Sequence, residues 1–437
     1  MGGSEATLSR DIGIGLMGLG GVGGGVAQVL SSKAQTLCSM AGSSLSLRRV
    51  LVRDPGKSRS FDPPPQLLTT SPDDILDDPD IHIVIEVIGG ESPAHEYISK
   101  ALTRGKHVVT ANKEVIGRHG PDLLKLSGLH RVALLYEASA GGGIPLISTL
   151  AQDLSANDIS GITAIINGTT NYILTRMAQD GLDFQKALAQ ASELGYAEPN
   201  PSDDIDGTDA AHKLAVMATL AFHADVRSDD IYREGISRLT TRDFQYAKEL
   251  GYVIKLLAIG KNNGDSIQVR VHPALLPQDL LLAKVDGVFN AVQIDADVAG
   301  RILLYGRGAG PMPTASAIIS DVVKIAKSIS SGQADSWSPP AIYSKKIQLM
   351  EDIETQFYLR LTVEDTYGVL AQITRIFGDN RISLASVIQK RTDEKAGTAE
   401  IVLMTHPALE RAMRKAITQM EGLKAVKEIG NVVRVEA

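Results

Sequence analysis

The 437-residue sequence predicts an α/β protein of about three domains, at the usual 100 to 200 residues per domain. Three observations support this prediction. A glycine-rich turn joins a strand to a helix near residue 20, and strands alternate with helices to about residue 150. Residues 357–437 then follow the order strand, helix, strand, strand, helix, strand. An apolar fraction of 43% and a charged fraction of 22% are typical of a globular chain with buried cores.

Charge and cysteine content exclude several classes of protein. With 44 basic and 51 acidic residues the net charge is −7, and no basic cluster is longer than a pair such as Arg48-Arg49, so we expect no nucleic-acid partner. No apolar run reaches the roughly 18 residues of a membrane helix. Arg10 is followed by no apolar segment with a cleavage site, so we expect no signal peptide. The single cysteine, Cys38, excludes an internal disulfide framework. We expect a reduced, cytoplasmic protein with no membrane partner.

The first predicted strand, ending near Gly18, leads into a glycine motif. The segment Gly18-Leu19-Gly20-Gly21-Val22-Gly23 fits G-x-G-x-x-G between a strand and a helix. Glycines there let a pyrophosphate approach the backbone at a helix N-terminus, where free N–H groups and the helix dipole favour an anion. The alternative is a flexible glycine tract, but the strand-to-helix context favours a dinucleotide site.

The second predicted strand, 48–52, ends at Arg53-Asp54, where such folds distinguish their cofactors. An acidic side chain binds a ribose hydroxyl, whereas basic side chains accommodate a 2′-phosphate. Arg53, Lys57 and Arg59 outnumber Asp54, which favours NADP, with NAD as the alternative. Lys57 and Arg59 are equally well explained individually as solvated loop charges.

Two further predicted strands, 81–88 and 106–110, flank a predicted helix over 93–104, which indicates a parallel sheet. Lys113 follows the second of them. Because ligands lie off the carboxyl ends of such strands, we expect Lys113 to face the reactive end of the dinucleotide.

A predicted strand over 131–136 ends in Glu137, followed by the glycine-rich segment 138–145. A carboxylate followed by exposed backbone carbonyls suits a hard cation, although a tight turn is the more common structure.

Asn167-Gly168-Thr169-Thr170 precedes a helix predicted from Asn171. These residues are either helix caps or, at the same N-terminus, a binding site for a carboxylate.

The segment 195–213 is rich in acidic residues and ends in a lysine. An EF-hand alignment would put Lys213 where the bidentate glutamate belongs, which argues against calcium. Asp209 lies four residues before Lys213, and an apolar helical run follows, so we expect Lys213 to be partly buried. Desolvation lowers the pKa of a lysine toward the range useful for proton transfer, and a nearby carboxylate opposes this shift. An ordinary surface ion pair is the alternative.

The remaining pattern predicts sheet over 243–295, a break at 306–311 and a helix over 314–329. A linker rich in serine, glycine and proline follows, and residues 357–437 have the ferredoxin-like order of elements.

Four of these segments resemble homoserine dehydrogenase in order and spacing: 18–23, 106–113, 167–172 and 195–213. The C-terminal residues are similar to an ACT domain, a small-molecule regulatory module, through 365–370 and 382–389. The resemblance implies an NAD(P)-binding Rossmann-type domain over 1–150, completed by about 306–330. A catalytic and dimerisation domain over 151–305, a linker over 331–356 and an ACT domain over 357–437 would follow.

The resemblance implies reversible, NAD(P)-linked interconversion of L-homoserine and L-aspartate 4-semialdehyde, in threonine and methionine biosynthesis. Lys213 would be the acid/base group, Lys113 would bind and polarise the reacting oxygen, and Asp209 would orient Lys213. Glu198 and Asp204 would hold the substrate ammonium, with Thr169 lining the site.

The same resemblance implies a sodium or other monovalent-cation site and an effector. The cation would bind Glu137 and the backbone of Ala140, Gly142 and Ile144, and Gly306 would return to the cofactor. Threonine is the expected effector and a homodimer or homotetramer the expected assembly. The sequence departs from the ACT pattern at Tyr367, where proline is usual, and at Asn380-Arg381, where glycine is common.

The sequence argues against two other functions. A non-catalytic sensor of nucleotide and amino acid would need neither Lys113 nor Lys213, and both are present. An aspartate-semialdehyde dehydrogenase would need a thiolate nucleophile, and Cys38 is remote in sequence from every substrate motif.

Overall fold

The computed structural model describes residues 11–59, 61–333, 337–393 and 395–436. The residues before Asp11, to which the signal-peptide prediction refers, and residues 334–336 of the predicted linker lie outside these ranges. No helix within them is long and apolar enough to cross a bilayer.

The described strands and helices are numbered here in chain order. The strands are β1 (Ile12–Met17), β2 (Leu45–Leu51), β3 (Leu68–Thr69), β4 (Ile81–Glu86), β5 (His107–Thr110), β6 (Leu134–Leu135), β7 (Ile159–Ile165), β8 (Tyr232–Arg233), β9 (Tyr252–Asn262), β10 (Ser266–Pro277), β11 (Phe289–Ala296), β12 (Gly300–Arg307), β13 (Lys346–Ile347), β14 (Glu354–Glu364), β15 (Leu384–Asp393), β16 (Thr398–Thr405), β17 (Ala408–Leu409) and β18 (Val426–Val435). The helices are α1 (Gly21–Ser32), α2 (Ala34–Ala41), α3 (Asp73–Leu76), α4 (Ala94–Thr103), α5 (Lys113–His130), α6 (Gly168–Asp180), α7 (Phe184–Glu193), α8 (Ser202–Ile205), α9 (Thr208–Ala221), α10 (Thr241–Glu249), α11 (Pro311–Ser330), α12 (Val369–Asp379) and α13 (Glu410–Glu421).

The chain forms two compact units and passes between them several times. The first unit comprises Met1–Ser160, Ala211–Asp230 and Ile294–Lys345. The second comprises Gly161–Ala210, Ile231–Gln293 and Lys346–Ala437.

The first unit contains a parallel sheet in the order β3-β2-β1-β4-β5-β6. Ile12, Ile14 and Leu16 of β1 are fully buried and share one core cluster with apolar residues of α1, α2 and α11. The carboxyl ends of β1, β4 and β5 therefore meet at one edge, as expected of parallel neighbours. The predicted Rossmann-type sheet is confirmed.

The second unit contains a mixed sheet in which the strands run β11-β7-β9-β10-β18-β14-β16-β15. Its last four strands and the helices α12 and α13 form the predicted ferredoxin-like arrangement. Phe377 of α12 and Met420 of α13 are almost wholly buried in the core of this module, each contributing about 1.5–3 kcal/mol. Strand β18 also pairs with β10, with Ala274 opposite Arg434, so the C-terminal module extends the larger sheet of this unit.

Three predictions of element type or boundary were wrong. Sheet was predicted from Asp243, but 241–249 is the helix α10, because Asp243 and Thr240 form a reciprocal capping box. The helix predicted from Asn171 begins at Gly168, since the Asn167 side chain accepts from the backbone N–H of Thr170. The helix that contains Lys213 begins five residues earlier, at Thr208.

Candidate active site

The glycine motif of the first unit is shaped by close backbone packing. Gly18 has a φ of 104°, and a Cβ on it would lie 2.8 Å from the carbonyl oxygen of Val87. A Cβ on Gly23 would lie 2.1 Å from the carbonyl oxygen of Gly18. Gly20 caps α1 without a side-chain hydrogen bond to the first turn. The N–H groups at this helix start can therefore donate hydrogen bonds to a phosphate, and the motif fits a dinucleotide.

A cavity of about 730 Å³ opens at this motif, within the size range of ligand sites. Its lining includes the predicted cofactor residues Gly18, Leu19, Gly20, Gly21 and Arg53, together with Asp54, Lys57, Arg59, Val87 and Ile88. Asp54 is engaged in its own turn, where Oδ1 accepts from the Gly56 N–H at 2.8 Å. Arg53 and Lys57 are exposed beside it. This end of the cavity therefore carries more accessible positive than negative charge.

Lys113 lies at the edge of the sheet where the predicted nucleotide site begins. It is half-buried and is the first residue of α5. Asn112 caps this helix, its Oδ1 accepting from the Val115 N–H at 3.1 Å. The turn from β5 into α5 thus fixes the backbone from which Lys113 extends.

Sequence reasoning missed a buried carboxylate at the same edge. Glu86, the last residue of β4, is fully buried and accepts a hydrogen bond from the Thr110 hydroxyl at 2.6 Å. Burial raises the pKa of Glu86, while its hydrogen bonds to Thr110 and Ile88 oppose that shift. The available signal was an acidic residue ending an otherwise apolar strand.

In the second unit, Asn167 brings two predicted site residues together. Its Nδ2 donates to Asp204 Oδ1 at 2.6 Å and to Asp209 Oδ2 at 2.8 Å. Because its Oδ1 caps α6, one side chain both starts the helix and holds two carboxylates. The capping and binding interpretations of this segment are therefore compatible.

The other predicted substrate residues of the second unit differ in exposure. The Thr169 hydroxyl donates to the carbonyl oxygen of Tyr196 at 2.7 Å. Asp209 is buried, Asp204 half-buried and Glu198 exposed. Asp209 is therefore fixed within the fold, while Asp204 and Glu198 can present negative charge to a ligand.

Lys213 lies one helical turn after Asp209 in α9, and the chain passes from the second unit to the first between them. Its exposed fraction is 8%, which confirms the predicted burial. The apolar residues 214–218 that follow are buried too, so this part of the helix is not a solvated face.

The predicted cation residues surround a tight turn in the first unit. The Glu137 carboxylate is buried and accepts from the backbone N–H groups of Ile147 at 2.9 Å and Ser148 at 2.8 Å. Each carboxylate oxygen keeps a second lone pair, so these bonds are compatible with a cation. A Cβ on Gly306 would lie 3.0 Å from Ile144, so these two predicted residues are neighbours. Within the described ranges no group of three or more His, Cys, Asp or Glu is arranged to hold a metal.

Cys38 lies in α2 and is only partly exposed. This helix packs against α11 in the core of the first unit. Its position is that of a structural residue on the nucleotide-binding fold.

Known proteins match nearly the full length of this chain. The model of the homoserine dehydrogenase NAD binding domain matches residues 18–137, that of homoserine dehydrogenase residues 145–323, and that of the ACT domain residues 357–422. A homoserine dehydrogenase of Synechocystis is 43% identical over 431 residues, covering 97% of this chain and 99% of the relative.

Solved structures agree. A homoserine dehydrogenase from Thiobacillus denitrificans has a TM-score of 0.90 and 40% identity, covering 98% of this chain and 99% of its own. A hyperthermophilic archaeal homoserine dehydrogenase in complex with NADPH has a TM-score of 0.61 and 26% identity, covering 72% of this chain and 97% of its own. The chain belongs to the homoserine dehydrogenase family of NAD(P)-dependent oxidoreductases acting on a CH–OH group, and it carries a C-terminal ACT domain.

Proposed function

We propose that this homoserine dehydrogenase uses NADP when it interconverts L-homoserine and L-aspartate 4-semialdehyde, and that Lys213 moves the proton. The carrying observation is the pair of hydrogen bonds by which Asn167 fixes Asp204, just before α9, and Asp209, in the first turn of the same helix that contains Lys213. An amino-acid substrate needs fixed carboxylates to bind its ammonium group. Oxidation of its hydroxyl also needs an acid/base group that can take up the hydroxyl proton.

Glu198 and Asp204 bind the substrate ammonium, with Thr169 lining the site. Support for Asp204 comes from its hydrogen bond to Asn167, which engages only Oδ1 among the described contacts. The second oxygen keeps its full capacity to accept from an ammonium. Asp209, held by the same amide, orients Lys213 one turn further along α9.

The bound nicotinamide supplies or accepts the hydride. During reduction of the aldehyde, negative charge develops on its oxygen, and Lys213 donates the proton that neutralises it. Lys113 binds the same oxygen and polarises the carbonyl. In the direction of oxidation, Lys213 accepts the hydroxyl proton.

The preference for NADP rests on the electrostatics of the 730 Å³ cavity. Arg53 and Lys57 are exposed to a 2′-phosphate and outnumber Asp54, which is exposed as well and uses Oδ1 within its own turn. Steady-state assays with NADP and NAD in parallel, each with and without threonine, test this preference and the effector together.

Replacement of the proposed acid/base residue tests the mechanism. Lys213→Ala should lower kcat for homoserine oxidation about 10²- to 10⁴-fold, followed as NADPH absorbance. Cys38→Ala should leave turnover unchanged, because reduction of an aldehyde to an alcohol needs no thiolate. Near wild-type turnover of Lys213→Ala would overturn the proposal, and loss of turnover in Cys38→Ala would revive the aspartate-semialdehyde dehydrogenase alternative.

The cation, effector, assembly, cytoplasmic location and domain boundaries remain predictions. Sodium at Glu137, Ala140, Gly142 and Ile144 is tested by exchanging Na⁺ for a bulky organic cation and measuring turnover.

Threonine inhibition is best tested by Asp365→Ala in the turn before α12, because removing the whole module would uncover the edge of β10. Light scattering of the purified enzyme distinguishes homodimer from homotetramer.

A further inference from the structure

Glu86 is a buried carboxylate for which the proposed mechanism has no use. Its Oε1 accepts from the Ile88 N–H at 2.7 Å and its Oε2 from the Thr110 hydroxyl at 2.6 Å. Both contacts are with neutral donors. A buried charge held only by dipoles costs stability compared with an apolar side chain of the same size. Such a group at the ligand edge of a sheet is a candidate for a functional role.

The hydrogen bonds around Thr110 run in one direction. The Asn112 N–H donates to Thr110 Oγ1 at 3.0 Å, so this oxygen is an acceptor there. The single hydroxyl proton of Thr110 is then donated to Glu86. Glu86 must accept at this position, and the chain of donors from Asn112 through Thr110 ends on its carboxylate.

The same chain fixes the residue before Lys113. Asn112 Nδ2 donates to the carbonyl oxygen of Gly90 at 2.8 Å, while its Oδ1 caps the helix that Lys113 begins. The ends of β4 and β5 are therefore joined at two points. Glu86 accepts from Thr110 at one, and Asn112 donates to the Gly90 carbonyl at the other. Val87 and Ile88, next to Glu86, also line the cavity at the glycine motif.

We infer that Glu86 is a positioning residue that acts through Thr110 and Asn112 to set the backbone from which Lys113 reaches the reacting oxygen. The inference rests on the proposed role of Lys113. Because Lys113 acts when charge develops on the oxygen, misplacing it lowers kcat more than it weakens ground-state binding of homoserine.

A pair of variants at Thr110 tests the relay. Thr110→Val keeps the shape of the side chain but removes the acceptor for Asn112 and the donor to Glu86, whereas Thr110→Ser keeps both. Thr110→Val should lower kcat about 10- to 100-fold, the range expected when a reacting group is misplaced by a fraction of an ångström to an ångström. The KM for homoserine should change less than kcat, and Thr110→Ser should restore most of the lost kcat.

Thr69 offers a matched control in the same sheet. It ends β3, accepts from the Ser71 N–H at 3.0 Å and donates to the carboxylate of Asp74, which repeats the local pattern of Thr110. Thr69→Val should lower the thermal midpoint as Thr110→Val does but leave kcat unchanged. This control separates positioning of Lys113 from loss of a buried hydrogen bond as such.

The outcomes distinguish this inference from the proposed function. If Lys113→Ala loses activity while Thr110→Val and Thr110→Ser have equal kcat, the relay is wrong and the proposed function stands. If Lys113→Ala keeps wild-type kcat, the proposed role of Lys113 fails, and the relay fails with it. Should Thr110→Val not fold, Glu86→Gln takes its place, because an amide puts a donor against either Thr110 or Ile88 and must also lower kcat.

Discussion

Two buried polar clusters, one in each unit, hold their carboxylates in opposite ways. In the first unit, Glu86 contacts the Thr110 hydroxyl and a backbone N–H. In the second unit, Arg360 joins two buried carboxylates, with Nε 2.9 Å from Asp243 Oδ1 and Nη1 3.3 Å from Glu400 Oε2. In the first cluster, the carboxylate of Glu86 is held by neutral hydrogen-bond donors. In the second, both buried carboxylates are paired with the buried guanidinium of Arg360.

The pKa shifts follow this difference. Burial raises the pKa of Glu86, and its neutral donors do not reverse the shift. Burial also acts on Glu400, but the Tyr246 hydroxyl and the nearby arginines hold its pKa below the usual value. A paired cluster can add to stability and fix strand register, whereas a carboxylate held by dipoles is kept at a cost. We therefore expect the second cluster to affect folding and the first to affect turnover.

The largest expected effect comes from unpairing the second cluster. Arg360→Met leaves Asp243 and Glu400 buried without their shared cation, which should lower the free energy of unfolding by about 3–5 kcal/mol. Urea denaturation at neutral pH measures this loss.

Arg242 supplies the control for that experiment. It bonds Glu400 Oε2 at 3.0 Å, but its side chain is 53% exposed. Arg242→Met should therefore cost no more than about 1 kcal/mol. Equal losses in the two variants would contradict the view that burial, and not charge count, makes this cluster important.

His272, in the second unit, is buried beside arginines and stays neutral, unlike the paired carboxylates. Its Nδ1 lies 2.9 Å from the carbonyl oxygen of Pro273 and must donate to it, so Nε2 accepts from Arg270 Nε at 3.2 Å. Burial, together with Arg434 and Arg270, lowers the pKa of His272 well below its usual value.

This lowered pKa has a sign that can be measured. Below a pH of about 6.5 the unfolded chain binds a proton on His272, whereas the folded chain does not. The free energy of unfolding therefore decreases by about 1.4 kcal/mol for each unit by which the pH is lowered below that value. His272→Gln removes this contribution. Its free energy of unfolding should therefore rise relative to that of the wild type as the pH is lowered from 7.5 to 5.5. Urea unfolding at pH 7.5, 6.5 and 5.5 tests the prediction, and parallel pH curves for the two proteins would refute it.

The smallest effect on stability is expected for Glu86→Gln. Loss of one acceptor, worth about 1–3 kcal/mol, is offset by removal of a buried charge that contacts no cation among the residues described. We expect the free energy of unfolding to change by less than about 1 kcal/mol while kcat falls. A loss as large as that of Arg360→Met, with normal kcat, would make Glu86 a structural residue and erase the difference between the two clusters.

Much of the fold was predictable because its signals are local. The glycine motif after β1 and the alternation of apolar residues predicted the parallel sheet, and the order of the last six main elements predicted the ferredoxin-like module. The helix α10 was missed because its capping box, Thr240 with Asp243, is a pattern of two residues inside an otherwise strand-like region. The boundary at Gly168 was missed for a similar reason, since it depends on the cap that the Asn167 side chain provides.

Motif spacing is a property of the chain, so the sequence alone was enough to predict the family, the nicotinamide chemistry and the candidate residues Lys113, Asp204, Asp209 and Lys213. The folded chain was needed to show that Asn167 holds Asp204 and Asp209 together, since its amide reaches residues about 40 positions away. The contact between Glu86 and Thr110 also depends on tertiary structure, because it forms where β4 and β5 lie side by side. Hydrogen bonds between distant segments leave no periodic trace in the sequence, and they are what fixes the geometry of this site.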